Sequence, residues 1–342
     1  MLSAAVGKKT GLVSQGEGDA GGPGDQAAAS VAGGPVLSVA ISTYKRPEGL
    51  RRLLTALRPQ VEGRTDREIV VVNDGSHNDA YEAVRAEFGG IVKYRALPQN
   101  AGVVAARNAT AALATGEYLV FTDDDCEPPG WWLDWLTARL MAAPDLDVIA
   151  GPTRALAPTR SRFFSTVLTH HKFLPMPART YGSFLFVTAN VAIRRELFHR
   201  VGRFGFPGRF NKAGEDTELA NRLLRAGAAM TIDHVWYVRH EVESSFRTVC
   251  RRYWSYGYAN GTLLALTTSP AVHDDHTKYR RRRHLRNALV EFRAQRRLAF
   301  KVSGNPLVQL LSAATATLVL LAYFDGCAAA LHDRGRKGSR SA

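Results

Sequence analysis

The residues with the most chemical content in this 342-residue chain form two acidic clusters. The first is Asp123-Asp124-Asp125, three consecutive carboxylates directly after an apolar run at 118–122. Adjacent carboxylates repel one another, so a strand end does not gather them for stability alone. A hard divalent cation such as Mg²⁺ or Mn²⁺ removes that repulsion and prefers carboxylate oxygens. Mg²⁺ takes one or two protein carboxylates and fills its other positions from phosphates, which suits a nucleotide diphosphate. The plainer alternative is an acidic loop that caps the next helix, with Trp131, Trp132 and Trp135 packing behind it. The second cluster, Gly214-Glu215-Asp216-Thr217-Glu218-Leu219, opens a helix. Its carboxylates either complement the positive end of the helix dipole or supply a base that takes the proton of a hydroxyl nucleophile. His240, just after an apolar strand, is either a further metal ligand or a core histidine.

Two more residues gain meaning from their surroundings. Asp74 ends an apolar run and precedes Gly75-Ser76, a turn from which a carboxylate can accept hydrogen bonds from a nucleobase. Arg107 lies in an alanine-rich stretch, where it can pair with phosphate, pair with Asp74 or form a surface ion pair.

These residues need elements to position them. The apolar runs at 36–43, 68–73, 92–97 and 118–122 read as strands. Between them, helices are expected from Pro47, from Asn78 as N-cap to about Phe88, and over 102–114. Strands alternating with helices imply a mostly parallel sheet with helices on both faces. In such sheets ligands bind beyond the carboxyl ends of the strands, where Thr43-Tyr44, Asp74 and the three aspartates fall. The second half is expected to hold strands over 184–191, 229–233 and 235–240. Helices are expected from Arg195, over 214–226, over 246–266 and over 306–330.

The formal charge of +14 favours anionic partners. Ten Lys and Arg crowd residues 278–301 with few aromatics between them, which argues against nucleic acid. An anionic membrane surface attracts such a segment by about 1 kcal/mol per nearby basic residue. The apolar run at 310–324 that follows is 15 residues long. That is short of the roughly 18 expected of a membrane-spanning helix. Peripheral attachment at the cytoplasmic membrane face is therefore expected, with a helix packed against the catalytic domain or a dimer partner, or a true span, as the alternatives. Three widely spaced cysteines suggest neither a disulfide framework nor a zinc cluster and fit a reducing compartment. Residues 1–35, rich in Gly and Ala, are expected to be disordered, as are residues 331–342.

Taken together, four segments resemble the family 2 glycosyltransferases of the GT-A fold. They are Leu37-Ser38-Val39-Ala40-Ile41-Ser42-Thr43-Tyr44-Lys45-Arg46, Ile69-Val70-Val71-Val72-Asn73-Asp74-Gly75-Ser76, Asn100-Ala101-Gly102 with Ala106-Arg107-Asn108, and Phe121-Thr122-Asp123-Asp124-Asp125. Gly214-Glu215-Asp216 fits as well, and Arg251-Arg252-Tyr253-Trp254-Ser255-Tyr256-Gly257 looks like a helix that follows the catalytic domain in many members. Ser42 departs from the proline common before the Thr-Tyr pair, which touches only the shape of the turn.

The resemblance implies a catalytic domain over 36–245, with a nucleotide-binding half at 36–126 and an acceptor half at 127–245. A helical basic and apolar extension at 246–330 would follow. It implies a nucleotide-sugar site of Thr43, Tyr44, Arg46, Asp74, Asn100, Arg107, Asp123 and Asp124. It places a divalent cation, Mg²⁺ or Mn²⁺, on Asp125 and His240, and catalysis on Asp216 supported by Glu215. The partners implied are a nucleotide-sugar donor and a sugar, lipid-linked or other hydroxyl acceptor, joined by inverting transfer. Two alternatives remain at this level. A sugar nucleotidyltransferase would carry a Gly-rich, Arg-containing loop after the first strand, where this chain has Thr43-Tyr44-Lys45-Arg46-Pro47. An inactive nucleotide-sugar-binding module would lose the base, whereas Asp125 and Asp216 are both present.

Overall fold

Strand β1 (Leu37–Thr43) is buried on both faces. Leu37, Val39 and Ile41 enter one core and Ala40 the other, as the two-residue period of a strand requires. The same division runs through β2 (Arg67–Asn73) and β4 (Tyr118–Asp123). A computed structural model describes residues 36–156, 186–205, 214–241, 245–267 and 306–338. The expectations for 1–35, for the basic stretch 278–301 and for 339–342 lie outside the described residues.

The first core is closed by α1 (Pro47–Val61), α2 (Asp79–Phe88) and α4 (Trp132–Ala142). Pro47 stands in the first turn of α1, and the Asn78 side chain caps α2 by accepting the Tyr81 N–H at 3.1 Å, both as the sequence suggests. The second core is closed by α3 (Val103–Leu113), α5 (Arg195–Arg200) and α6 (Glu215–Arg225). Helices thus cover both faces.

With β3 (Val92–Ala96), β6 (Val148–Ala150), β8 (Val191–Arg194) and β9 (Met230–Ile232), the strands form a seven-stranded sheet of order β3-β2-β1-β4-β8-β6-β9. Pairing is parallel except on both sides of β8. The chain leaves β1 toward β2 and β3, then returns to its other side at β4. The carboxyl ends of β1 and β4 therefore flank a topological switch point, where a crevice opens. A second sheet of three short strands, β5 (Cys126–Glu127), β10 (Val238–His240) and β7 (Thr153–Ala155), stands beside that crevice. Of its strands, β10 falls within the strand expected over 235–240, whereas β5 and β7 were not expected, because strands of two or three residues leave no periodic trace.

Three boundaries differ from expectation. Of the strand expected over 184–191, residues 186–190 instead form a loop and turn that lead into β8. Phe186, Thr188, Ala189 and Asn190 are buried there, so burial without strand pairing produced the apolar pattern. Asn190 explains how a turn tolerates that depth. Its Oδ1 accepts the Trp132 indole N–H at 3.0 Å and its Nδ2 donates to the Trp236 carbonyl at 2.7 Å, beneath the stacked Trp132 and Trp236 rings. Strands β9 and β10 are shorter than expected because the Asp233 carboxylate accepts the Val235 and Trp236 N–H groups and ends the pairing in a turn. The last helix does not stop at Ala330. It runs on to Gly338, so helix replaces the tail expected over 331–338.

That helix, α8 (Pro306–Gly338), lies along α7 (Phe246–Thr267) in parallel, with Val249 near Val319 and Gly261 near Cys327. A Cβ at Gly257 would stand 1.8 Å from the Tyr323 carbonyl oxygen, and one at Gly326 would stand 2.0 Å from that of Trp254. Only glycine permits so close a backbone approach. Among the described residues, no helix is long and apolar enough to cross a membrane.

Candidate active site

All twelve expected site residues line one cavity of about 610 Å³ at the switch point. At the end of β1 the Thr43 hydroxyl donates to Asp124 Oδ2 at 2.7 Å and lies 2.8 Å from the Tyr81 hydroxyl. The Tyr81 hydroxyl accepts the Arg46 N–H at 2.9 Å. The turn from Thr43 to Arg46 is thereby fixed to α2, whose cap sets the position of Tyr81. Tyr44 remains 39% exposed at the cavity mouth, with the Lys45 ammonium 5.1 Å from its ring centre.

Asp74 lines the cavity, but its carboxylate is already engaged. Oδ1 accepts the Ala101 N–H at 2.7 Å, and Oδ2 accepts the Gly102 N–H and the Asn100 side-chain amide at 3.0 and 2.9 Å. Asp74 and Asn100 therefore form one unit that shapes the turn into α3.

Arg107 is buried and pairs neither with Asp74 nor on the surface. Its Nη2 donates to Asp123 Oδ1 at 2.8 Å and its Nη1 to Glu215 Oε1 at 2.5 Å. Both expectations for its protein partners are corrected, because α6 brings Glu215 up to α3 in a way the sequence does not reveal. Asp216, half-buried, accepts the N–H of Thr217 at 2.7 Å. Gly214 precedes them with φ 91°, a left-handed conformation that lets the chain turn sharply into α6.

On the other side, Arg46 contacts Asp124 at 3.5 Å and Asp125 at 3.2 Å, and also pairs with Glu241. The second sheet brings His240 here. It pairs with Cys126 across β5 and β10, so its Nε2 lies 3.3 Å from Asp125 Oδ1 while its Nδ1 lies 2.7 Å from the Glu241 carbonyl.

These placements set the electrostatics. Burial pushes the Asp124 carboxyl up to about 7; repulsion from Asp125 and Asp123 adds to that, against the Thr43 hydrogen bond and Arg46. Burial also raises Asp216 to about 7, with Glu215 repelling the charged form. Asp123 goes the other way. Burial would raise it, but Arg107, His240 and Arg252 together hold it below the ordinary carboxylate range.

The donor set fits a hard divalent cation. Asp125 Oδ1 and His240 Nε2 line the cavity side by side and offer an oxygen and an imidazole nitrogen, leaving other positions for phosphate. The guanidinium of Arg46 already stands against Asp124 and Asp125 as an internal positive charge. Cys126 Sγ is near enough to join them. However, burial and the neighbouring carboxylates push its thiol well up, so it stays protonated in the core, and sulfur is a soft ligand.

Sequence reading did not list Thr188, Arg252, Tyr256 or Glu241. The first three line the cavity, and Glu241 pairs with Arg46 and Arg52. Arg252 and Tyr256 belong to α7, a segment noted for its likeness to a post-catalytic helix. Their four-residue spacing, one helical turn, was the available signal.

Residues 38–202 match the sequence model of glycosyl transferase family 2, and residues 123–332 match that of glycosyl transferase family group 2. The chain is 27% identical over 238 residues to the succinoglycan biosynthesis protein ExoM of Rhizobium meliloti, covering 67% of this chain and 75% of that one. It is 26% identical over 230 residues to a pre-mycofactocin glycosyltransferase of Mycobacterium tuberculosis, covering 65% of this chain and just under half, 46%, of that one. The solved mannosyltransferase PcManGT from Pyrobaculum calidifontis, in complex with GDP-Man and Mn²⁺, superposes with a TM-score of 0.55 at 19% identity over 86% of each chain. The fold is therefore that of the GT-A glycosyltransferases, as the sequence led us to expect.

The raised carboxyl of Asp124 has a measurable cost. Between its ordinary value of 3.8 and about 7, the folded protein holds a proton that the unfolded chain has released. Stability therefore falls as pH rises through that window, and the loss is complete above it. In chelator, Asp124→Asn should stabilise the protein at pH 7.5 and leave it nearly unchanged at pH 4, read by thermal melting. Equal shifts at both values would show that Asp124 is not protonated in the fold.

Proposed function

The chain belongs to the family 2 glycosyltransferases, which favours sugar transfer over nucleotidyl transfer. On that premise we propose that it is an inverting enzyme that moves a sugar from a nucleoside-diphosphate sugar to an acceptor hydroxyl, in the synthesis of a cell-envelope polysaccharide, glycolipid or related glycoconjugate. The observation that carries this reading is the sharing of one cavity by Asp216 and the Asp123–Asp125 cluster. A carboxyl near 7 is matched to taking a proton at neutral pH.

In this reading Asp216 accepts the proton of the acceptor hydroxyl as its oxygen bonds to the anomeric carbon. The bond from that carbon to the diphosphate breaks on the opposite face, and the diphosphate leaves with the electron pair. One displacement inverts the configuration. Asp125 and His240 would hold a divalent cation, which supplies charge stabilisation for the leaving diphosphate. The Mn²⁺ and GDP-Man of the mannosyltransferase complex support a divalent cation without fixing its ligands or the donor here. Tyr44 and the turn built by Asp74 and Asn100 would face the nucleotide.

Attachment to an anionic membrane surface, at its cytoplasmic face, is the second part of the proposal. Leu307 stands exposed in the first half of α8 with Leu310, Leu311 and Leu318, which follow it by three, four and eleven residues and so lie on one side of the helix. The ten basic residues at 278–301 precede them in sequence. A basic segment followed by an apolar ridge suits a helix lying in the headgroup plane.

Asp216→Asn keeps the shape and removes the basicity. Transfer should fall by about 10²-fold or more, with donor binding nearly unchanged. Transfer at the native rate would reduce Asp216 to a helix-opening residue. Asp125→Ala should abolish Mn²⁺ binding measured by electron paramagnetic resonance, and unaltered Mn²⁺ affinity would remove Asp125 from the metal site. In co-sedimentation, the native chain should bind anionic vesicles in a salt-sensitive way and Leu310→Glu/Leu318→Glu should not. A native chain that stays in the supernatant at low salt with anionic and neutral lipids alike defeats the membrane reading.

A further inference from the structure

Arg107 differs from a phosphate-binding arginine in what its guanidinium touches. One arm meets Glu215 Oε1 at 2.5 Å and the other meets Asp123 Oδ1 at 2.8 Å, which ties α6 to the end of β4. The platform beneath it is fixed. The Phe204 ring lies 5.8 Å from the guanidinium carbon and packs edge-on against Phe121 and Phe198. Asn108, the next residue, grips the Phe204 backbone in both directions, donating to its carbonyl at 2.5 Å and accepting its N–H at 3.0 Å. Two carboxylates on separate elements require the planar fork of arginine, since an ammonium presents a single point charge.

We propose that Arg107 is a positioning residue for transfer rather than a ligand of the nucleotide. It clamps Glu215 and Asp123, and so fixes where Asp216 stands relative to the aspartate cluster. The clamp also orients the second oxygen of Glu215. Oε2 is buried against the cavity with no hydrogen-bond partner among the described residues. A sugar hydroxyl is the donor it suits, one residue from the base. This inference rests on Asp216 being the base. The charged groups that face Asp216 are Glu215 on its own helix, Arg107 from α3 and Asp123 from β4, with Arg252 of α7 lining the same cavity. Glu215 and Asp123 repel the Asp216 carboxylate and Arg107 attracts it.

The test uses the full chain with Arg107→Lys, Arg107→Gln and Glu215→Gln. Carboxyl ¹³C NMR of the substrate-free protein should show Asp216 titrating at higher pH in Arg107→Gln and at lower pH in Glu215→Gln. A residue that merely braces the fold would not produce opposite displacements. Arg107→Lys should lower kcat by about 10²-fold, the cost of roughly 1 Å of misplacement. Its affinity for UDP or GDP with Mn²⁺ should stay within about two-fold, since the proposed clamp contacts no part of the nucleotide. Weakened nucleotide binding at native kcat, or an Asp216 titration that neither substitution moves, would overturn the proposal. Asp216→Asn separates the two readings. If it transfers at the native rate, the assignment of the base fails; if it is inactive while the Arg107 variants behave as the native chain does, only the clamp fails.

Discussion

Six carboxylates, those of Asp123, Asp124, Asp125, Glu215, Asp216 and Glu241, converge at one end of the sheet, and the surrounding structure is arranged to keep them there against their mutual repulsion. Two arginines divide the load. Arg46 takes Asp124, Asp125 and Glu241, while Arg107 takes Asp123 and Glu215. Asp216 forms no ion pair among the described residues and accepts only from Thr217. Asp216 thus holds its charge without an arginine partner, and burial raises its carboxyl to about 7, as it does that of Asp124 despite Arg46.

The chain's topology brings these groups together. Because β2 and β3 lie on one side of β1 and β4 lies on the other, the carboxyl ends of β1 and β4 flank a topological switch point with a gap above it. The second sheet then closes the gap from the side. Its pairing of His240 with Cys126 seats an imidazole beside Asp125, more than a hundred residues away in sequence.

The first half of the fold was legible because its signals are periodic and local. Leu50, Leu53, Leu54 and Leu57 mark one helix face, Asn78 caps α2, and β1, β2 and β4 are long enough to read as buried runs. The twelve expected residues share one cavity because most of them sit at a strand end or a helix start, Arg107 within α3 being the exception. Their partners were not legible. Nothing in the local pattern says that Arg107 reaches Glu215 or that Asp74 binds the Asn100 turn, since both contacts depend on how distant elements pack. The residues at 186–190 misled for the opposite reason. Burial in a turn held by Asn190 imitates the apolar run of a strand.

The contact between α7 and α8 has a mechanical consequence. Arg252 and Tyr256 project into the cavity from α7, and next to Tyr256, Gly257 meets the backbone of α8 without any side chain between. Flexible side chains normally act as a lubricating layer that lets packed helices slide or roll by fractions of a turn. At Gly257 and Gly326 that layer is missing, so the two helices are pinned to each other there. The cavity wall formed by Arg252 and Tyr256 is therefore tied to the position of α8 through backbone contact rather than through side chains that can yield.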